Sequence, residues 1–268
     1  YVSRETLESC MGKIIAVANQ KGGVGKTTTV INLGFALSEL GKRVLLVDGD
    51  PQGNSTSGII QKRNIKPNLY DALLCDISVK EVILPLKDGK TSIRDNISLI
   101  PSNLELAGAE IELVPVFLRE LRLKKVLEPV KDDYDYIFID CPPSLGLLTV
   151  NALSASQYVL IPLQCEYYAL EGISQLLKTI ELIKKDLNPA LEILGILLTM
   201  YNRTILAQQV LDETKRFFKD KVFNTLIPRN VRLSEAPGFS LSIFEYAPDS
   251  SGAGAYRELA RELMNIGK

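Results

Sequence analysis

The chain has 268 residues, 46% of them hydrophobic and 24% charged, with 18 glycines and 13 prolines. That composition excludes disordered, collagen-like and coiled-coil chains, and the length suffices to bury a core without disulfide or metal staples. Lys and Arg number 31 against 32 Asp and Glu, so no global basic field points to nucleic acid; histidine is absent, which removes Ser-His-Asp and Cys-His catalysis and His-ligated zinc together.

Residues 1–10 are polar, lack the apolar stretch of a signal peptide, and read as an extension outside the fold. Residues 11–268 read as one domain. Apolar runs rich in β-branched residues predict strands at Ile14–Ala18, Arg43–Val47, Ile97–Ile100, Tyr136–Ile139, Tyr158–Ile161 and Ile193–Thr199. Helical spacing predicts helices over Thr27–Leu40, stopped by Gly41, then Leu118–Leu127, Leu170–Lys185, Ala207–Phe218 and Ala255–Met264. Most of the strands are continuously apolar rather than alternating, as when helices cover both faces of a parallel sheet. The alternation predicts a doubly wound α/β fold, a mostly parallel central sheet flanked by helices. Cys10, Cys75, Cys141 and Cys165 contain no CxxC pair and read as buried small hydrophobes in a reducing cytoplasm. No apolar run reaches the ~18 residues of a membrane span. The expectation is a cytoplasmic protein.

The sharpest local signal is Asn19-Gln20-Lys21-Gly22-Gly23-Val24-Gly25-Lys26-Thr27-Thr28, between a predicted strand and a predicted helix. In that context glycines let backbone N–H groups approach phosphate oxygens at the positive end of a helix dipole. Gly22, Gly23 and Gly25 can take positive φ. Lys26 would reach the β- and γ-phosphates, and the Thr27 hydroxyl would bind Mg²⁺. The usual pattern has a glycine at position 20, where this chain has Gln; instead a second lysine, Lys21, opens the loop. Lys21 could serve its own nucleotide or cross to the site of a partner chain.

Further on, Val47-Asp48-Gly49-Asp50-Pro51 puts two carboxylates at the C-terminal end of a predicted strand, where open α/β sheets bind ligands. Asp48 can hold a water of the Mg²⁺ shell and Asp50 can orient the attacking water; a plain polar turn is the alternative. Tyr136–Ile139 delivers Asp140 in the same manner, to the second shell of the metal or as a cap for the following helix.

The string Lys21–Thr28 resembles the deviant Walker A motif of the ParA/MinD group of P-loop ATPases. The similarity continues through Val47–Asn54, Asp140–Gly146, Gln164–Gly172 and Ile227–Pro237, and the last two strings narrow it to the chromosomal ParA proteins often called Soj. The resemblance implies an ATP- and Mg-dependent ATPase whose two protomers close face to face over two nucleotides, each lending Lys21 to the other. It implies that Met200, Pro228, Arg229 and Asn230 line the adenine pocket. Glu166 matches a glutamate that reaches a partner's ribose, although a solvated loop carboxylate fits as well. Gly49 stands where relatives usually carry a larger residue.

Residues 201–232 carry seven Lys/Arg against three acids, a local +4, and residues 119–131 carry five against two. Alone, such excesses read as solvated helix faces. The resemblance implies sequence-indifferent binding to double-stranded DNA, with Arg203 and Arg232 at DNA-contacting positions. It also implies a ParB-like regulator that accelerates hydrolysis, and association with the nucleoid. A MinD-like membrane role would need a bulky apolar face on the C-terminal helix, whereas Tyr256, Leu259 and Leu263 are better explained by packing onto the body. An iron–sulfur role finds no thiolate signature in Cys141 and Cys165. A small-molecule kinase or ligase would need its own acceptor pocket, which fold alone does not exclude.

Overall fold

The computed structural model describes residues 12–62, 64–87, 89, 91–166 and 171–266. Residues 1–10, Cys10 among them, and Leu170 therefore lie outside the described residues. In chain order the principal elements are β1 (Lys13–Val17), α1 (Lys26–Glu39), β2 (Val44–Asp48), β3 (Leu84–Pro85), β4 (Ile97–Ile100), β5 (Tyr136–Asp140), α2 (Leu147–Ala155), β6 (Tyr158–Gln164), α3 (Ser174–Asp186), β7 (Glu192–Thr199), α4 (Ile205–Phe218) and α5 (Ser251–Asn265).

The seven strands form one sheet in the order β3-β4-β2-β5-β1-β6-β7. Every pairing is parallel except the two-residue β3 against β4. The period of two sends alternate side chains to opposite faces. Ile14, Ala16, Leu45, Val47, Ile137 and Ile139 join one core, while Ile15, Val17, Val44, Leu46, Tyr136 and Phe138 join the other. The first core is closed by α2, α3 and α4, the second by α1 and α5. Both faces being covered, β2 and β5 are buried along their whole length, which is why the sequence shows runs rather than alternation. After β1 the chain moves to β2 on one side, and after β5 it crosses to β6 on the other. The strand ends around β1 thus form the crevice where such sheets bind ligands.

Two expectations need correction, and one helix was not anticipated. The predicted helix over Leu118–Leu127 is a 3₁₀ turn, Arg119–Leu121, followed by a short helix, Arg122–Leu127; Leu118 itself has left-handed backbone, φ 54°. Cys75 is exposed, at the end of the short surface helix Leu69–Leu74, rather than buried like Cys141 and Cys165. Helix α2 carried no clear periodic signal because it is apolar nearly all round.

The ion pair between Arg94 and Glu245 is internal. Arg94 Nε lies 2.6 Å from Glu245 Oε1 with both side chains about nine-tenths buried, and its guanidinium also donates to the carbonyls of Ile59 and Ser240 and stacks over Phe35. A buried charge left without its partner is costly. Arg94→Ala is therefore expected to lose about 3–5 kcal/mol of stability in urea unfolding, far more than removal of an exposed arginine such as Arg203.

Candidate functional site

The phosphate loop occupies the place the sequence indicates, between the end of β1 and the start of α1. Gly23 and Gly25 have positive φ, 73° and 89°, whereas Gly22 does not. No atom comes within 4 Å of a Cβ added at Gly22 or Gly23, so the outer loop faces open space. Its inner side is anchored: Thr199 Oγ1, at the end of β7, donates to the Val24 carbonyl at 2.8 Å. Val24 is buried, and Thr28 lies at the first turn of α1 beside the pocket described below.

The two lysines of the loop have different surroundings. Lys26 is 7% exposed and its ammonium donates to the Lys21 carbonyl at 3.2 Å, inside the loop. Burial lowers its pKa, opposed by the field of Asp140, then Cys141 and Asp50. Lys21 turns outward. Its ammonium sits 2.6 Å from Glu166 Oε2, with both side chains more than 40% exposed, and Gln164 Nε2 donates to the other Glu166 oxygen.

Asp48 and Asp140 are register partners at the ends of β2 and β5, and both are 0% exposed. Asp48 Oδ2 accepts from the Thr56 N–H at 2.7 Å and its hydroxyl at 2.6 Å. Asp140 Oδ2 accepts from the hydroxyls of Thr27 and Ser55, each at 2.7 Å. Burial, then the neighbouring Asp140, raises the Asp48 pKa to about 7; burial raises that of Asp140 to about 6 against the pull of its two hydroxyl donors. Asp50 is 8% exposed, its Oδ1 accepts from the Gln52 N–H, and its carbonyl accepts from Ser102 Oγ. Asp48 is thus more than a turn residue, and Asp140 does not cap α2; Glu110 does, accepting from the N–H groups of Leu147 and Leu148. Gly49 donates its N–H to the Asp140 carbonyl, and a Cβ there would lie 2.7 Å from that oxygen. This close approach has no room for a larger side chain.

Asp140 Oδ1 is a buried oxygen with no hydrogen-bond partner among the described residues. Thr27, donating its proton to Oδ2, keeps its lone pairs for a cation. These hard oxygens fit Mg²⁺, held by one hydroxyl and ligand phosphates with a carboxylate behind, rather than in an all-protein cage. Consistently, no cluster of three or more acidic, Cys or His ligands occurs among the described residues.

Beside the loop opens a cavity of about 190 Å³ bounded by Gly25, Thr28, Met200, Pro228, Arg229 and Asn230. The two segments meet by backbone bonds, Tyr201 N–H to the Ile227 carbonyl and Arg229 N–H to the Tyr201 carbonyl. Sequence reasoning missed Ile227, Leu233, Ser234 and Tyr256 in the same wall, along with Ser55 and Thr56 beneath the carboxylates. Tyr256 reaches Thr29 from α5, 227 positions away, so no local signal could have placed it.

Arg203 is exposed just before α4. Arg232 lies on the helix Val231–Glu235, paired with Glu235 at 3.0 Å at the surface. Such exposed pairs contribute about 0–1 kcal/mol, so a phosphate can displace the glutamate. Tyr256, Leu259 and Leu263 of α5 are buried against the body, which spends the face a membrane-binding helix would present. No helix among the described residues is long and apolar enough to cross a membrane. Burial raises the thiol pKa of Cys165 to about 11, and that of Cys141 higher still, so neither is poised as a thiolate ligand.

A glycine-rich loop joining a central strand to a helix, a lysine within it, and strand-end aspartates behind its threonine define a P-loop nucleotide hydrolase. The AAA-domain family profile matches residues 12–193. The chain is 58% identical over 259 residues to the sporulation initiation inhibitor protein Soj of Bacillus subtilis, covering 96% of this chain and 100% of that one. It is 53% identical to the chromosome partitioning protein ParA of Myxococcus xanthus, over 95% of this chain and 88% of that one. Among solved structures, cobyrinic acid a,c-diamide synthase from Mycobacterium smegmatis, with bound ADP and magnesium, superposes with a TM-score of 0.81 at 40% identity, covering 95% of this chain and 94% of that one. The chain belongs to the ParA/Soj family of chromosome-partitioning ATPases.

The buried carboxyls make stability depend on pH. Both pKa values are raised above the unfolded value of 3.8, so between that value and about 6 to 7 the folded chain binds more protons than the unfolded one; the contribution is fully present below pH 3.8 and is lost progressively until pH reaches about 7. Without nucleotide or magnesium, the contribution of these two carboxyls to stability in urea is expected to fall from about pH 4 to about pH 7, by at most about 1.4 kcal/mol per pH unit for each carboxyl. Asp48→Asn should flatten the upper part of that slope.

Proposed function

We propose that the chain is an ATP-dependent DNA-partitioning ATPase that closes as a dimer over two Mg·ATP, holds double-stranded DNA without sequence preference, and lets go on hydrolysis stimulated by a ParB-like partner. Its place is then on the nucleoid. The observation that carries this reading is the division of labour between the lysines: Lys26 is enclosed in the loop, while Lys21 is outside it, exposed and paired with Glu166. An exposed pair of this kind is cheap to exchange, and an outward cation at the edge of a phosphate site is available to the γ-phosphate of a facing copy.

The residue roles follow from position. Backbone N–H groups of Gly22–Lys26 and the α1 dipole bind the phosphates, with Val24 and Thr28 shaping the loop. Lys26 neutralises β- and γ-oxygens, and the Thr27 hydroxyl would hold Mg²⁺ with Asp140 and Asp48 receiving its waters. Bound there, the ion would supply positive charge to the phosphates. Met200, Pro228, Arg229 and Asn230 enclose the base. Glu166, once Lys21 leaves it, is free to meet a ribose of the facing copy. Asp50 orients the attacking water; a carboxylate is a weak base, so turnover without a regulator is slow. Arg203 and Arg232 bind DNA phosphates, more strongly when dimerisation doubles the basic surface. The solved neighbour that is a synthase stands at 40% identity, against 58% and 53% for the partitioning relatives.

Two measurements test this. By light scattering with ATP and magnesium, Asp50→Ala is expected to accumulate as a dimer, whereas Lys21→Ala stays monomeric with nucleotide affinity within about threefold of the parent; a Lys21→Ala chain that dimerises normally refutes the exchange of lysines. Arg232→Glu is expected to abolish binding to random duplex DNA while ATP-driven dimerisation persists. Milder removal, Arg232→Ala, should lower the salt slope of DNA binding by about 2, one contact of roughly 0.9 per copy.

A further inference from the structure

Thirteen large apolar side chains are exposed among the described residues, and five of them crowd into residues 104–118: Leu104, Ile111, Val114, Phe117 and Leu118, each more than half exposed and Phe117 85% so. The stretch is not loosely attached. Leu106, Ala109 and Leu113 on its inner side belong to the core. Its far end is fastened by Arg119, which donates to the Val114 carbonyl at 2.6 Å while its own carbonyl accepts from Asn151 Nδ2 at 2.8 Å. A firmly seated segment therefore keeps a second apolar side open.

Its position says what that side meets. Ser102, at its start, donates its hydroxyl to the Asp50 carbonyl and its N–H to Thr56 Oγ1. Glu110, in its middle, caps α2 at Leu147 and Leu148, just after the turn that follows Asp140. The stretch is thus bonded to both loops that carry the strand-end aspartates and borders the phosphate face. Residues 104–118 also contain three glutamates and no Lys or Arg, which disfavours DNA or an anionic lipid surface as occupant.

We propose that this strip is the dry seam of the contact with a second copy of this chain. The inference rests on the nucleotide-bridged dimer proposed above and names what, besides nucleotide, holds the two copies. A two-fold axis presents the same face from both sides, so each strip, bordering the phosphate face, meets the surface of the other copy when the phosphate faces do. Five such side chains make a patch on the order of 300–600 Å², less than the roughly 800 Å² per partner of a stable complex. The strip alone is too small to hold a dimer. The nucleotides must supply the rest, which makes the association conditional on ATP.

The test is the dimer dissociation constant of the full chain with a non-hydrolysable ATP analogue and magnesium, measured by analytical ultracentrifugation. Phe117→Asp and Ile111→Asp are expected to weaken dimerisation at least ~30-fold, with melting temperature and analogue affinity, the latter measured at concentrations where the parent is monomeric, unchanged. Phe117→Leu, and Phe217→Asp on the exposed end of α4, are expected to dimerise like the parent. Aspartate variants at 117 and 111 that dimerise normally overturn the seam, and if they have instead lost stimulation by a regulatory protein the strip belongs to that protein. A parent chain that stays monomeric overturns the nucleotide-bridged dimer itself, and the seam with it.

Discussion

Two carboxylates lie side by side at the ends of neighbouring parallel strands, shut off from water, and the rest of the site is arranged around that fact. Asp48 and Asp140 are opposed in register between β2 and β5. Two adjacent buried anions are unfavourable unless hydroxyls, N–H groups and cations surround them. Thr27, Ser55 and Thr56 provide the donors, and Lys26 is the nearby cation whose field acts on Asp140. The remaining deficit is visible in the raised pKa values and in Asp140 Oδ1, which has no hydrogen-bond partner among the described residues. A site short of positive charge beside a glycine-rich loop short of negative charge is complementary to a phosphate chain carrying a divalent cation.

Much of this was legible in the chain itself. The six longer strands were readable because burial on both faces makes them continuous apolar runs, and the loop was readable because its chemistry is local: glycines, lysine and threonine within a single turn. Asp48, Asp50 and Asp140 were readable as strand-end carboxylates. What was not legible depends on distant partners. Ser55 and Thr56 sit in a polar stretch that looks like any turn, and only the fold brings their hydroxyls under the two aspartates. Tyr256 enters the cavity wall from the last helix. The two-residue β3 is too short to show a period, and the helix expected from Leu118 does not begin there because that residue has left-handed backbone, φ 54°.

The lysine at position 21 shows how one substitution in a loop changes what the loop can do. A glycine-only entrance would leave the phosphate site with Lys26 as its loop cation and nothing reaching outward. Here the extra ammonium is parked on Glu166, on the segment after β6, by a contact between two exposed groups. Such a contact stabilises the free chain little and costs little to break. It keeps the cation positioned at the rim of the phosphate loop, outside the enclosure that holds Lys26.

A continuous set of hydrogen bonds leads from the carboxylates to the surface that carries Arg232. Thr56 is held by Asp48; the carbonyl of Ser57, next in the same short helix, accepts from Ser240 Oγ at 3.0 Å. The Ser240 carbonyl accepts from Arg94, Arg94 is paired with Glu245, and Glu245 caps the turn at Ser242. From that turn Tyr246 donates to Glu235, the carboxylate that also binds Arg232. Because the Arg94–Glu245 pair is buried, its members cannot part without leaving a desolvated charge behind. A displacement of the Asn54–Ser57 helix, the element that answers directly to the charge on Asp48, must therefore either break its bond to Ser240 or carry that turn with it. The rigid part of this route is the buried ion pair, and the yielding parts are the exposed Ser240–Ser57 and Arg232–Glu235 bonds on either side of it.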